Sequence, residues 1–202
     1  MHKTFISYHH KNEQDLKDEI VKKGGDKGDF MDKSVEDGDI EPSLSEDTIM
    51  RKIKNDYLKD SSVVVVLIGE ETSKRPYVNS EIQAALWGDN KCGLIGVVRD
   101  EIYDSIYTST ICSNNGCNCG VSLNSPTPDF MDKIPFLVKE NQYILEKGES
   151  TAPHFNNSSA YCSIYKYSTF LGNMEKYIDE AFSKRSGDFD VRKKNDSITP
   201  TI

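Results

Sequence analysis

Residues 74–85 read KRPYVNSEIQAA, and within them Tyr77 and Glu81 stand four apart, the spacing that puts two side chains on one face of a helix. Pro76 suits a first helical turn, where its missing N–H would have no partner. Glu81 alone would be an ordinary acid near a helix start, favoured by the helix dipole and facing water. Two things make it a candidate catalytic carboxylate: the aromatic one turn earlier, and its place directly after the most hydrophobic run of the chain, VVVVLIG at 63–69. Arg75 reads either as a solvated helix start or as a group that contacts a phosphate or orients Glu81.

A second set lies at the other end of the first predicted strand, in FISYHHKNE. Phe5 falls within that strand and reads as core. Tyr8 and His9 follow at its carboxyl end as ligand contacts, and Ser7 is a further candidate contact. His9 and His10 also have the plainer reading of loop residues, and Asp37 and Asp39 that of solvated loop charges. Cys112, Cys117 and Cys119 fall in ICSNNGCNCG. A zinc site there would recruit these three with Cys162 or His154, but the spacing lacks the usual paired CxxC. The preferred reading is a polar surface loop, with no metal assigned.

The elements that must position these residues alternate along the chain. KTFISY at 3–8 is a short aromatic and β-branched strand. KNEQDLKDEIVKKGG places Leu16, Ile20 and Val21 on one side of a helix that ends in glycines. GDFMDKSV holds a weaker strand, at 27–31. A turn-rich loop through Pro42 leads to a candidate N-cap at Ser45 and a helix with Ile49, Ile53 and Tyr57 on one face. SSVVVVLIG has no polar alternation, which fits a strand buried on both faces of a parallel sheet. The helix carrying Glu81 follows, with Ile82, Ala85 and Leu86 inward, and then KCGLIGVV as another buried strand.

This order predicts a flavodoxin-like, doubly wound α/β fold with helices on both faces of the sheet. In such a sheet ligands bind beyond the carboxyl ends of the strands. The loops SYHHKN, KSVEDGDIEPS and GEETSKRPYVNSE are therefore where a site belongs. Residues 100–130 have no sustained period and read as an inserted loop before the C-terminal helix. KIPFLVKENQYILEKG reads as two short extended pieces. YSTFLGNMEKYIDEAFSK has Phe170, Met174, Tyr177, Ile178 and Ala181 at helical spacing. We expect one domain over 1–185 and a loose polar tail over 186–202.

Composition limits the partners. With 25 Lys and Arg against 33 Asp and Glu, the net charge of −8 argues against non-specific adhesion to nucleic acid or to an anionic membrane. No stretch has the apolar length to span a bilayer, and the first residues lack a signal-peptide core. A cytoplasmic location is expected, and five cysteines, an odd number, are expected to be reduced. The dinucleotide fingerprint GxGxxG and the P-loop signature are both absent, which argues against hydride-transferring Rossmann enzymes and P-loop nucleotide hydrolases.

FISYHHKNE resembles the first box of Toll/interleukin-1 receptor (TIR) domains. SKRPYVNSE resembles the segment in which an aromatic precedes the catalytic glutamate by four. The order and placement of the two are most similar to the stand-alone TIR-like proteins of the Thoeris anti-phage system, over residues 3–98 and more loosely at the C-terminal helix. Tyr77 stands where a tryptophan is usual. The resemblance implies an NAD glycohydrolase or ADP-ribosyl cyclase with Glu81 catalytic and with Ser7, Tyr8, His9, Arg75 and Tyr77 around the substrate. It implies NAD as substrate rather than cofactor and a cyclic ADP-ribose isomer that activates a partner effector. Self-association and a phage-derived trigger are further expectations. The rival reading is a TIR-type scaffold that assembles without turning over NAD, and Glu81 separates the two.

Overall fold

The computed structural model describes residues 2–24, 30–31, 35, 40–41, 43–112, 117, 119–149 and 156–194. Its centre is a five-stranded, fully parallel sheet formed by β1 (Thr4–Ser7), β2 (Phe30–Met31), β3 (Val63–Ile68), β4 (Gly93–Val98) and a strand near the C-terminus, Cys162–Lys166. They lie in the order β2, β1, β3, β4, C-terminal strand. Every residue of β3 has 0% exposure, as its unbroken valine run requires of a strand covered on both faces.

The coverings are distinct. Val64, Val66 and Ile68 point into a core shared with Ile49, Met50 and Ile53 of α2 (Glu46–Asp56) and with Val78 and Ile82 of α3 (Pro76–Leu86). Val63, Val65 and Leu67 point the other way, onto Leu16 and Ile20 of α1 (His10–Gly24) and onto the C-terminal helices. This is the expected α/β architecture with helices on both faces. Ser45 caps α2 as expected, its Oγ accepting the Thr48 N–H at 3.4 Å.

Several expectations are corrected. Residues 100–130, read as loop, carry regular structure: α4 (Asp100–Ile106), an antiparallel hairpin of β5 (Tyr107–Ile111) and β6 (Ser122–Pro126), and α5 (Pro128–Lys133). The hairpin escaped the sequence reading because both of its faces are polar. KIPFLVKENQ forms not extended pieces but α6 (Phe136–Gln142), a helix too short to display a period, with Leu137, Val138 and Asn141 buried. The fifth strand, β7 (Cys162–Lys166), fell in a stretch to which no element was assigned.

The closing helix is two: α7 (Tyr167–Gly172) and α8 (Met174–Lys184), interrupted at Asn173, whose ψ of 32° leaves the helical range. Nor is the tail loose as far as residue 194. Phe189 packs edge-on against the fully buried Tyr161. Asn141 also donates to the Arg192 carbonyl at 2.9 Å and accepts from its N–H at 3.0 Å. Among the described residues no helix is long and apolar enough to cross a membrane.

Candidate active site

The chain enters the sheet at β1, places β2 on one side of it and β3 on the other, so the connections diverge at the carboxyl ends of β1 and β3. A crevice opens at such a reversal of strand order. Here it is a cleft of about 460 Å³ lined by Tyr8, His9, His10 and Lys11 after β1, Val35 after β2, and Arg75, Pro76, Tyr77, Val78 and Glu81 after β3. The three loops singled out from the sequence do converge. Asp37 and Asp39 of the second loop lie outside the described residues.

Glu81 forms the floor, with 1% exposure. The Ser7 hydroxyl donates to its Oε2 at 2.5 Å, and the Val35 N–H donates to its Oε1 at 2.7 Å. Burial raises its pKa to about 8; the two hydrogen bonds oppose this only in part. The group is a carboxylate held in one orientation and kept short of solvation. It would ionise more readily once a cation sits against it. Pro76 opens the helix at its first position, as expected, and Arg75 is the N-cap without a side-chain capping bond. One turn of α3 therefore carries Tyr77 to the cleft wall and Glu81 to its floor.

The other sequence candidates separate into those that face the cleft and one that does not. Ser7 is fully buried behind Glu81, so it acts on the carboxylate rather than on a ligand. Tyr8 lines the cleft but is only 5% exposed; its hydroxyl donates to Gln14 at 2.9 Å and its ring stacks on His10 at 4.5 Å. His10 is thus the first residue of α1 and a wall of the cleft, not a loop residue. The His9 pKa is lowered, first by burial and then by the nearby Arg75 charge. The Arg75 guanidinium is paired with Glu71. His9 Nδ1 and Arg75 Nε are buried and have no hydrogen-bond partner among the described residues.

Behind the His9 and Arg75 loops sits a second buried carboxylate, Glu13, with 0% exposure. Its Oε2 accepts from the His9 N–H at 2.9 Å and from the Thr72 hydroxyl at 3.2 Å, and Thr72 Oγ1 in turn accepts from the Gly69 N–H at 2.8 Å. Burial raises the Glu13 pKa to about 7. The carboxylate approaches Gly69 so closely that a Cβ there would collide with it, a close backbone approach that glycine permits. Glu13 therefore ties the loop after β1 to the loop after β3. Nothing in the sequence set it apart, because an acid in the first turn of a charged helix looks like a dipole partner. The β3 loop is also anchored to α5, by Ser73 Oγ donating to the Asp132 carbonyl at 2.7 Å and by a Lys133–Glu70 pair at 2.9 Å.

A parallel sheet in this order with helices on both faces is an α/β architecture of the TIR-like kind. Residues 5–103, close to half of the chain, match the family model described as Thoeris protein ThsB, TIR-like domain, so over that span the chain is similar to this defence-related family. No curated protein matches the chain.

Proposed function

We propose that the protein is an NAD-processing TIR enzyme of anti-phage defence, acting as an NAD glycohydrolase or ADP-ribosyl cyclase. The observation that carries this reading is Glu81: a fully buried carboxylate at the floor of a cleft that opens at the switch point, pre-oriented by Ser7 and Val35. In NAD the nicotinamide is cationic and leaves neutral, taking the electron pair of the C–N glycosidic bond, so no general acid is required. Ordinary glycosidases, by contrast, need two carboxylates. One ionised carboxylate beside the ribose suffices to stabilise the positive charge that develops on the sugar. Tyr77 can stack on the nicotinamide, while Tyr8, His9 and Arg75 shape the pocket. Arg75 and His9, each with a buried nitrogen that has no hydrogen-bond partner among the described residues, suit the oxygen-rich diphosphate half of the substrate.

The ribosyl cation is captured by water, which loses a proton to give linear ADP-ribose, or by a nucleophile within the same molecule, which gives a cyclic isomer. Exclusion of water from the cleft favours the second course. The cyclic product would serve as the signal that activates a partner effector. Association between copies, or a phage protein as trigger, would complete the open cleft. The test is expression of wild type and Glu81→Gln with the effector, phage challenge, and mass spectrometry of NAD derivatives. Loss of the charge in a site shielded from water should lower the rate by on the order of a hundredfold or more. An equally abundant, folded Gln variant that makes the same nucleotide at the same rate would establish the scaffold reading instead.

A further inference from the structure

The β5–β6 hairpin carries three of the five cysteines at its tip. Cys112 follows β5 directly, its N–H donating to the Val121 carbonyl at 2.9 Å, one rung beyond the named ladder. Cys117 and Cys119 lie on the return to β6. The sulfur atoms of all three lie within 4.8 Å of one another. We propose that Cys112, Cys117 and Cys119 bind one zinc ion as thiolates, with the fourth position left to water or another small donor.

The geometry is close to what the ion requires. Zinc–sulfur bonds of about 2.3 Å in a tetrahedral site set neighbouring sulfurs about 3.8 Å apart, so the thiols have to move by only about an ångström. Three soft sulfur donors select zinc over magnesium or calcium. The surroundings also differ from those of the other two cysteines. Cys92 and Cys162 are buried, and burial pushes the Cys162 thiol up to about 12, as expected of inert core residues. Cys119 is exposed, and its sulfur accepts a hydrogen bond from the Val121 N–H. A backbone N–H directed at sulfur is the kind of outer contact that stabilises a metal-bound thiolate.

Among the described residues, little apolar packing supports the hairpin. From Thr108 to Ile111 the first strand is exposed, and the second alternates between exposed and half-buried. Its cross-strand side-chain bonds are diagonal hydroxyl pairs, Ser109 with Ser122 at 2.6 Å and Thr110 with Ser125 at 3.1 Å. A two-stranded ribbon with little apolar burial is marginally stable in water, and a metal clip at its tip would supply folding free energy directly. The spacing CxxxxCxC lacks the paired CxxC that told against zinc in the sequence; it is the antiparallel pairing of β5 with β6 that brings the thiols together.

The test uses the full chain, purified reduced and freed of metal, then titrated with zinc alone and with cobalt alone. We expect one ion per chain by native mass spectrometry, release of thiol protons, and a thiolate-to-cobalt charge-transfer band that zinc abolishes. Replacing a direct ligand should weaken binding by more than about a hundredfold, beyond the loss typical of outer-shell partners. This applies to Cys112→Ser, Cys117→Ser and Cys119→Ser alike, while Cys92→Ala leaves the affinity unchanged. Hydrogen exchange at 107–111 and 122–126 should slow on zinc addition in wild type and not in the three serine variants, whose circular dichroism reports that the sheet is intact. Wild type that takes up no stoichiometric metal overturns the proposal, as does any one serine variant that binds as tightly as wild type. A cell-derived protein two hydrogens lighter, with a disulfide within the trio and no zinc affinity after reduction, also overturns it, in favour of a redox pair.

Discussion

Glu81→Gln should make the protein more stable, and increasingly so as the pH rises. Burial raises the Glu81 pKa from 4.5 to about 8 in the folded chain, so the native state holds the proton more tightly than the unfolded state. For a carboxyl shifted in this direction, the burial penalty is absent below the unfolded pKa. It grows between about pH 4.5 and 8 and is constant above. Each pH unit of that displacement is worth about 1.4 kcal/mol, which puts the ceiling near 5 kcal/mol. Water reaching the cleft floor reduces it, so about 2–5 kcal/mol is the expected range.

Glutamine keeps the shape and can still accept from Val35 or Ser7 while losing the ionisation. Glu13 imposes a similar slope between 4.5 and about 7, but it is common to both proteins and cancels in the difference. Urea denaturation at a series of pH values from 5 to 8.5 measures that difference. The two proteins should be nearly matched at pH 5, with the Gln variant ahead by several kcal/mol at pH 8.5. A gap that stays constant across this range would refute the claim that Glu81 is strained by burial.

Further outcomes follow from the same geometry. If turnover requires ionised Glu81, the rate with NAD should rise with pH and level off near or below pH 8, the limit set by the empty site; a rate independent of pH from 6 to 8.5 would contradict this. Tyr77→Ala should raise KM for NAD more than it lowers kcat, because stacking on the ring is present before the bond breaks. Gly69→Ala forces a methyl group against the Glu13 carboxylate, and we expect about 1–3 kcal/mol of destabilisation, read by thermal melting, with NAD binding weakened as the two loops separate. Leu67→Ala in the fully buried β3 should cost about 2–5 kcal/mol, measured by urea denaturation.

The alternation of elements and the central strand were legible in the sequence because an unbroken valine run bounded by serines and glycine has one physical solution, burial on both faces of a sheet. Tyr77 and Glu81 were legible because helical spacing is local, and Pro76 marks where the helix begins. Short elements were not: α6 spans too few residues to show a period, and β5 and β6 expose polar side chains on both faces, so neither leaves an apolar signature. The C-terminal tail looked free because its partners, Asn141 and Tyr161, are distant in sequence. Only the tertiary structure could give Ser7 its role, since a serine within a strand does not declare which carboxylate it will meet 74 residues later. It alone distinguishes Glu13, a buried carboxylate holding two loops, from the exposed acids around it, and it alone gathers three irregularly spaced cysteines at one hairpin tip. The sequence by itself determined which segments must be strands and helices, because patterning acts over a few residues. The pKa of Glu81 and the shape of the cleft were decided by desolvation and by contacts between loops, which exist only once those segments have packed.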